Sequence, residues 1–247
     1  MDKNLIEQWK KDEEASFKGW DFSYLKDRMI EDQPPWSYPE LAKGLLAKSK
    51  SLLDIATGGG EILSSLAPLP ADSYALEGHK PNVAVAQEKL KSFGVKVIFL
   101  EDTGEYPFPD ERFDLVLNRH GGLNLSEIHR VLKKGGCFLT QQVDGYNLSD
   151  MMDLFSAKPK WPDNTLSVVL RKMKDLSFKI IQSNEWKGTI RFTDVGAIVY
   201  FLKAIPWIVD DFSVDSHIEY LNKLQSILDK KGELKFSISR FLISAES

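Results

Sequence analysis

One cysteine stands in 247 residues, so an internal disulfide is excluded. Cys137 has no partner at metal-ligand spacing, and no metal is expected. A chain without disulfides suits a reducing compartment. Positive charge is not in excess either: 32 Lys and Arg face 36 Asp and Glu, a net charge of -4. That balance leaves no global footprint for a nucleic-acid backbone. Long apolar runs are missing, since the longest is interrupted by Lys203 and Pro206, so no membrane span is expected. Met1-Asp2-Lys3-Asn4 leads into a charged amphipathic stretch and not an apolar leader. A soluble, cytoplasmic protein is the expectation. Low-complexity linkers and internal repeats are absent as well.

What is present begins with an apolar fraction of 43%, enough for a sizeable core. Glycine is concentrated at one place, the stretch SLLDIATGGGEIL from Ser51 to Leu63. Its first half reads as a buried strand, and Glu61 to Leu66 resumes helical spacing. A strand, a glycine turn and a helix start leave bare backbone N–H groups and partial positive charge at one spot. A polar, nucleotide-like ligand is expected there.

Strand-like and helix-like segments alternate from Ser51 onward. Ser73 to Glu77, Val95 to Leu100, Phe113 to Asn118 and Cys137 to Val143 read as further strands. Pro81 to Phe93 and Leu125 to Leu132 read as helices, the second ended by Gly135-Gly136. Such alternation predicts an α/β fold with a doubly wound, mostly parallel sheet. Ligands of such sheets lie outside the carboxyl ends of the strands. This edge collects the turn after Asp54, then Glu77, Asp102 and Asn118-Arg119-His120. Phe178 to Trp186 and Lys235 to Ala245 read as the last two strands, with a helical, aromatic-rich insertion at about 193–232 between them, expected to be a lid that orders on ligand binding. Asp194 caps its first helix and Pro206 stops it. Residues 1–50 read as an N-terminal helical cap, where Ser37-x-x-Glu40 has capping-box spacing.

The glycines do not form a dinucleotide fingerprint. Counting from Gly58 puts Leu63 at the third G-x-G-x-x-G position, and counting from Ala56 puts Glu61 there. A phosphate-binding loop ending in Gly-Lys-Ser/Thr is absent too. Asp54-Ile55-Ala56-Thr57-Gly58-Gly59-Gly60 instead resembles the D-x-G-x-G-x-G turn of class I S-adenosylmethionine-dependent methyltransferases, with Ala56 in place of the first glycine. The resemblance continues through Val143, with Glu77, Asp102, PFPDERFDLVLNRH and EIHRVLKKGGCFLTQQV in the family's order. It implies a Rossmann-like seven-stranded sheet with the last strand antiparallel, residues 51–247 forming the methyltransferase domain.

The same resemblance implies S-adenosylmethionine as cofactor, with S-adenosylhomocysteine as product. Its binding residues would be Asp54, Ala56, Thr57, Gly58, Gly60, Glu77, Gly78, Asp102, Thr103 and Asn118. Glu77 would hold the ribose hydroxyls, Asp102 the adenine amino group, and Asp54 would order the turn. His120, at the fourth strand's end, is the candidate base or acceptor-orienting group, or else a cap for the next helix. Arg119 is the candidate anion-pairing group. The family's N-P-P-Y amine-methylating motif is missing.

Trp20, Phe22, Trp36, Tyr38, Tyr200 and Trp207 form either a substrate chamber or ordinary core. TGGGE, NRH, TQQV and AIPW resemble a group of bacterial stand-alone methyltransferases. A small-molecule acceptor is expected, since no nucleic-acid module is visible. Lys158, Lys160, Arg171, Lys172 and Lys174 keep a ribosomal-RNA base methyltransferase as an alternative. A non-catalytic S-adenosylmethionine-binding regulator is the third reading.

Overall fold

The structure is a computed structural model describing residues 3–17, 21–101 and 104–247. Trp20, Asp102 and Thr103 lie outside the described residues. In chain order the elements are α1 (Lys3–Glu14), β1 (Met29–Glu31), α2 (Tyr38–Leu46), β2 (Ser51–Ile55), α3 (Glu61–Ser65), β3 (Asp72–Glu77), α4 (Lys80–Leu90) and β4 (Lys96–Phe99). Then follow β5 (Phe113–Arg119), α5 (Leu125–Val131), β6 (Leu132–Val143), α6 (Ser149–Leu154), α7 (Leu166–Asp175), β7 (Lys179–Phe192), α8 (Val195–Ala204), α9 (Ile218–Lys231) and β8 (Leu234–Glu246). The sheet order is β1-β7-β8-β6-β5-β2-β3-β4.

The fold is α/β and Rossmann-like, with eight strands among the described residues where the sequence suggested seven. The additional strand is β1, three residues paired antiparallel with β7 (Ile30 opposite Arg191), inside the segment read as a helical cap. A three-residue strand is too short to show period-two alternation, so its pairing partner alone defines it. β2 runs parallel to β3 and β5, β3 to β4, and β5 to β6, while β8 is antiparallel to β6.

Gly135-Gly136 does not end a helix. α5 stops when Leu132 turns extended, and both glycines lie within β6. Gly135 is left-handed (φ 73), and a Cβ on Gly136 would lie 2.8 Å from Lys133 O and 3.0 Å from Phe113 O. The pair lets β6 pass a register irregularity against β5.

The chain forms two compact units. One comprises residues 35–144, 163–185 and 240–247. Its strands bury both faces, as parallel strands between helices must. Leu52, Leu115 and Leu117 pack with Ala42, Leu63 and Leu90 from α2, α3 and α4. Leu53 and Val116 pack on the opposite face with Ile128 of α5 and Met173 of α7. Ser37 caps α2 by accepting a 3.3 Å hydrogen bond from Glu40 N–H, the predicted capping position.

The other unit comprises residues 1–34, 145–162 and 186–239. The described insertion holds α8 and α9, joined by a non-helical stretch over 205–217. Asp194 caps α8, accepting from Ala197 N–H at 2.8 Å. α8 is the centre of this unit's core: Ile198, Val199, Tyr200 and Leu202 are buried with Trp9, Phe192, Leu221 and Phe236. Phe22 and Trp207 pack against the same cluster. Among the described residues, no helix is long and apolar enough to cross a membrane, and no group of side chains has metal-binding geometry.

Candidate functional site

β2 delivers the glycine turn to the carboxyl edge of the sheet. Ala56, Gly58 and Gly60 all adopt left-handed backbone, at φ 59, 63 and 83. Glycine takes that conformation without a Cβ penalty, whereas Ala56 takes it under strain. Thr57 N–H bonds back to Leu76 O at 3.1 Å, and Gly60 N–H to Thr57 O at 3.0 Å. The carboxylate of Glu77 then straps the turn to the end of β3. Its Oε2 accepts from Gly58 N–H at 2.6 Å and its Oε1 from His79 N–H at 2.7 Å, bracketing Gly78. These are short, charge-assisted bonds on a buried residue. Each oxygen keeps a further lone pair for a ligand hydroxyl.

Asp54, at the end of β2, is buried beside Tyr38 of α2. Burial, reinforced by the Glu77 charge, pushes the Asp54 carboxyl up to about 7, although the Thr57 hydroxyl nearby opposes the shift. Burial and the Asp54 charge likewise raise the Tyr38 phenol well above its ordinary value, while Arg119 and the Asn118 backbone pull the other way. Neither hydroxyl makes a hydrogen bond of good geometry: Tyr38 Oη and Thr57 Oγ1 are buried without partners. Such orphans are expensive in a finished interior.

β5 ends in Asn118-Arg119-His120. Asn118 is fully buried. Its Oδ1 accepts from Gln142 Nε2 at 2.5 Å and Thr140 Oγ1 at 3.3 Å, and its Nδ2 donates to Gly122 O at 3.3 Å. The side chain therefore braces the loop after β5. His120 is left-handed (φ 61) and its N–H donates to Gln141 O at 2.8 Å. Its ring Nε2 lies 3.0 Å from Gln141 Nε2, and Gln141 Oε1 accepts from Trp36 Nε1 at 2.8 Å. His120 does not cap α5, which Asn124 does by accepting from Glu127 N–H at 3.3 Å. The residue retains open surface, yet desolvation of its ring and the charges of Arg119 and Arg240 hold its pKa well below the usual imidazole value.

Residues 53–140 match the methyltransferase-domain family. Demethylmenaquinone methyltransferase of Chlorobaculum tepidum is 33% identical over 99 residues, covering 36% of this chain and 39% of the relative. The uncharacterised methyltransferase YcgJ of Bacillus subtilis is 33% identical over 108 residues, covering 40% and 42%. The chain thus aligns with about two-fifths of these relatives' length. In fold, a solved structure from Bacillus halodurans C-125 superposes over 85% of this chain and 99% of its own, with TM-score 0.60 and 21% identity.

The fold brings Asp54, Ala56, Thr57, Gly58, Gly60, Glu77 and Gly78 together at one sheet edge, with Asn118, Arg119 and His120 at the neighbouring strand's end. Sequence reasoning gave no role to Thr140, Gln141 and Gln142. The signal was there, because three consecutive polar residues in a central strand need partners. Tyr38 is one of the cap aromatics, and its buried hydroxyl lies within the electrostatic reach of Asp54.

Proposed function

We propose that the protein is an S-adenosylmethionine-dependent methyltransferase acting on a small-molecule acceptor. One observation carries this reading: a methyltransferase-domain turn strapped to Glu77, with the Tyr38 and Thr57 hydroxyls unpartnered beside Asp54. These residues fit a zwitterionic, ribose-bearing ligand. Gly58 and Gly60 admit close backbone approach, Glu77 offers acceptor lone pairs to vicinal hydroxyls, and Asp54 offers a carboxylate to a cation. Asp102 is assigned to the adenine end by the family resemblance, and Thr103 beside it to cofactor binding. Relatives named for a quinone precursor support a small-molecule acceptor.

When bound, the cofactor supplies an activated methyl on a sulfonium. The chain's part is alignment, which can contribute roughly 7–11 kcal/mol. Glu77 and the turn fix one end, and Asn118 keeps the loop carrying His120 in place. Arg119 is the candidate to pair with an anionic acceptor.

Calorimetric titration with S-adenosylmethionine and with NADH tests the reading. Binding of the first alone is expected. Gly58→Val should remove it, because a branched side chain disfavours left-handed backbone. Glu77→Ala should weaken it by about 1.5–3 kcal/mol. NADH binding with no S-adenosylmethionine signal would sink the proposal.

A further inference from the structure

The chain Trp36–Gln141–His120 determines a proton position. An indole N–H only donates, so the Gln141 oxygen must face Trp36, as the 2.8 Å contact requires. The opposite end of that amide carries two protons and no lone pair, and it lies 3.0 Å from His120 Nε2. Two donors cannot share that contact, so His120 Nε2 is the acceptor. A neutral imidazole then carries its proton on Nδ1. Desolvation of the ring, with the charges of Arg119 and Arg240, disfavours the doubly protonated form. The His120 backbone is anchored on Gln141 as well, in a left-handed conformation that His adopts more readily than most residues.

We propose that Trp36 and Gln141 lock His120 as its Nδ1–H tautomer, so that it serves as a hydrogen-bond donor to the methyl acceptor and not as the base that deprotonates it. The tautomer stands on the geometry alone, while the donor role rests on the methyl-transfer reading. The acceptor class follows from the donor: an anionic oxygen, as in a phenolate, enolate or carboxylate. Its lone pair, or that of a conjugated carbon, forms the new bond to the methyl carbon. The sulfur–carbon pair returns to sulfur as a neutral thioether. Any proton released goes to water, because the only imidazole lone pair is held by Gln141.

Long-range proton–nitrogen NMR on 15N-histidine protein without ligand reads the tautomer directly. The four histidines are separable by the signal lost in His120→Asn. His120 should show a protonated Nδ1 and a bare Nε2, and a protonated Nε2 would overturn the proposal. Trp36→Phe releases the Gln141 amide and should mix the tautomers; an unchanged pattern would overturn the assigned lock. With S-adenosylhomocysteine present, 4-nitrophenolate should move the Nδ1 proton downfield. Its affinity should fall at least about tenfold in His120→Ala and much less in His120→Asn, which keeps an N–H donor. No shift, or equal loss in both variants, would overturn the donor role. S-adenosylhomocysteine alone reports separately on the methyltransferase reading, through the amides of Gly58 and Gly60.

Discussion

Gly121 faces Ala56 so closely that a methyl group added to Gly121 would overlap the Ala56 Cβ, with Asn118 Nδ2 3.0 Å away. The two positions have room for one side chain between them. Ala56 takes that room while holding left-handed backbone, which costs an L-residue roughly 1–2 kcal/mol. Gly121→Ala should therefore destabilise the protein by about 1–3 kcal/mol through overpacking. Adding Ala56→Gly should recover most of that loss, since it removes both the clash and the strain. Thermal denaturation of the four variants measures the coupling. Simple additivity would show that the two positions do not share one space.

Asp54 makes stability depend on pH in the opposite sense to an ordinary paired carboxylate. Its folded pKa is raised to about 7, from a usual value near 3.8. Between those values the native state holds a proton that the unfolded chain releases. The contribution of Asp54 to stability is therefore greatest below about pH 4, declines as pH rises to 7, and stays low above that. At pH 8 the penalty is on the order of 4 kcal/mol. Asp54→Asn should raise the melting temperature at pH 8 and flatten the profile between pH 4 and 7. An Asn variant with the same pH profile as the parent would assign the effect elsewhere.

Arg28 holds one unit together through two acids. Its guanidinium donates to Asp12 at 2.9 and 3.1 Å and to Asp194 at 2.6 and 3.0 Å, and Tyr24 Oη adds a 2.8 Å bond to Asp12. Asp12 is buried and Asp194 is the cap of α8. Arg28→Ala leaves Asp12 an uncompensated buried charge, a loss of about 3–5 kcal/mol. Lysine cannot reproduce the fork, so Arg28→Lys should recover only part. Denaturant unfolding monitored by tryptophan fluorescence should show both losses. A change under 1 kcal/mol in Arg28→Ala would mean that water replaces the arginine.

Hydrogen exchange separates core from lid in the insertion. α8 is buried along nearly its whole circumference by its own unit. Its amides should exchange slowly in the empty protein. Added S-adenosylhomocysteine should slow residues 56–60 and 118–122 more than residues 195–204. A large ligand-dependent slowing confined to 195–212 would instead show a lid that orders on binding.

The alternation of strands and helices, the place of the glycine turn and the caps at Ser37 and Asp194 are legible in the residues. Each is written in residues a few positions apart, where backbone geometry and side-chain reach make the pattern local. β1 was invisible for the complementary reason, since three residues carry no period and become a strand only by pairing with β7. Gly135-Gly136 looked like a helix stop because glycine's freedom serves a stop and a strand irregularity alike. The state of His120 was equally out of reach. Whether it donates or accepts depends on Gln141, whose amide orientation depends on Trp36, 105 residues earlier. A proton's position on an imidazole is set by whichever partner arrives in space, and only the tertiary structure brings these three side chains together.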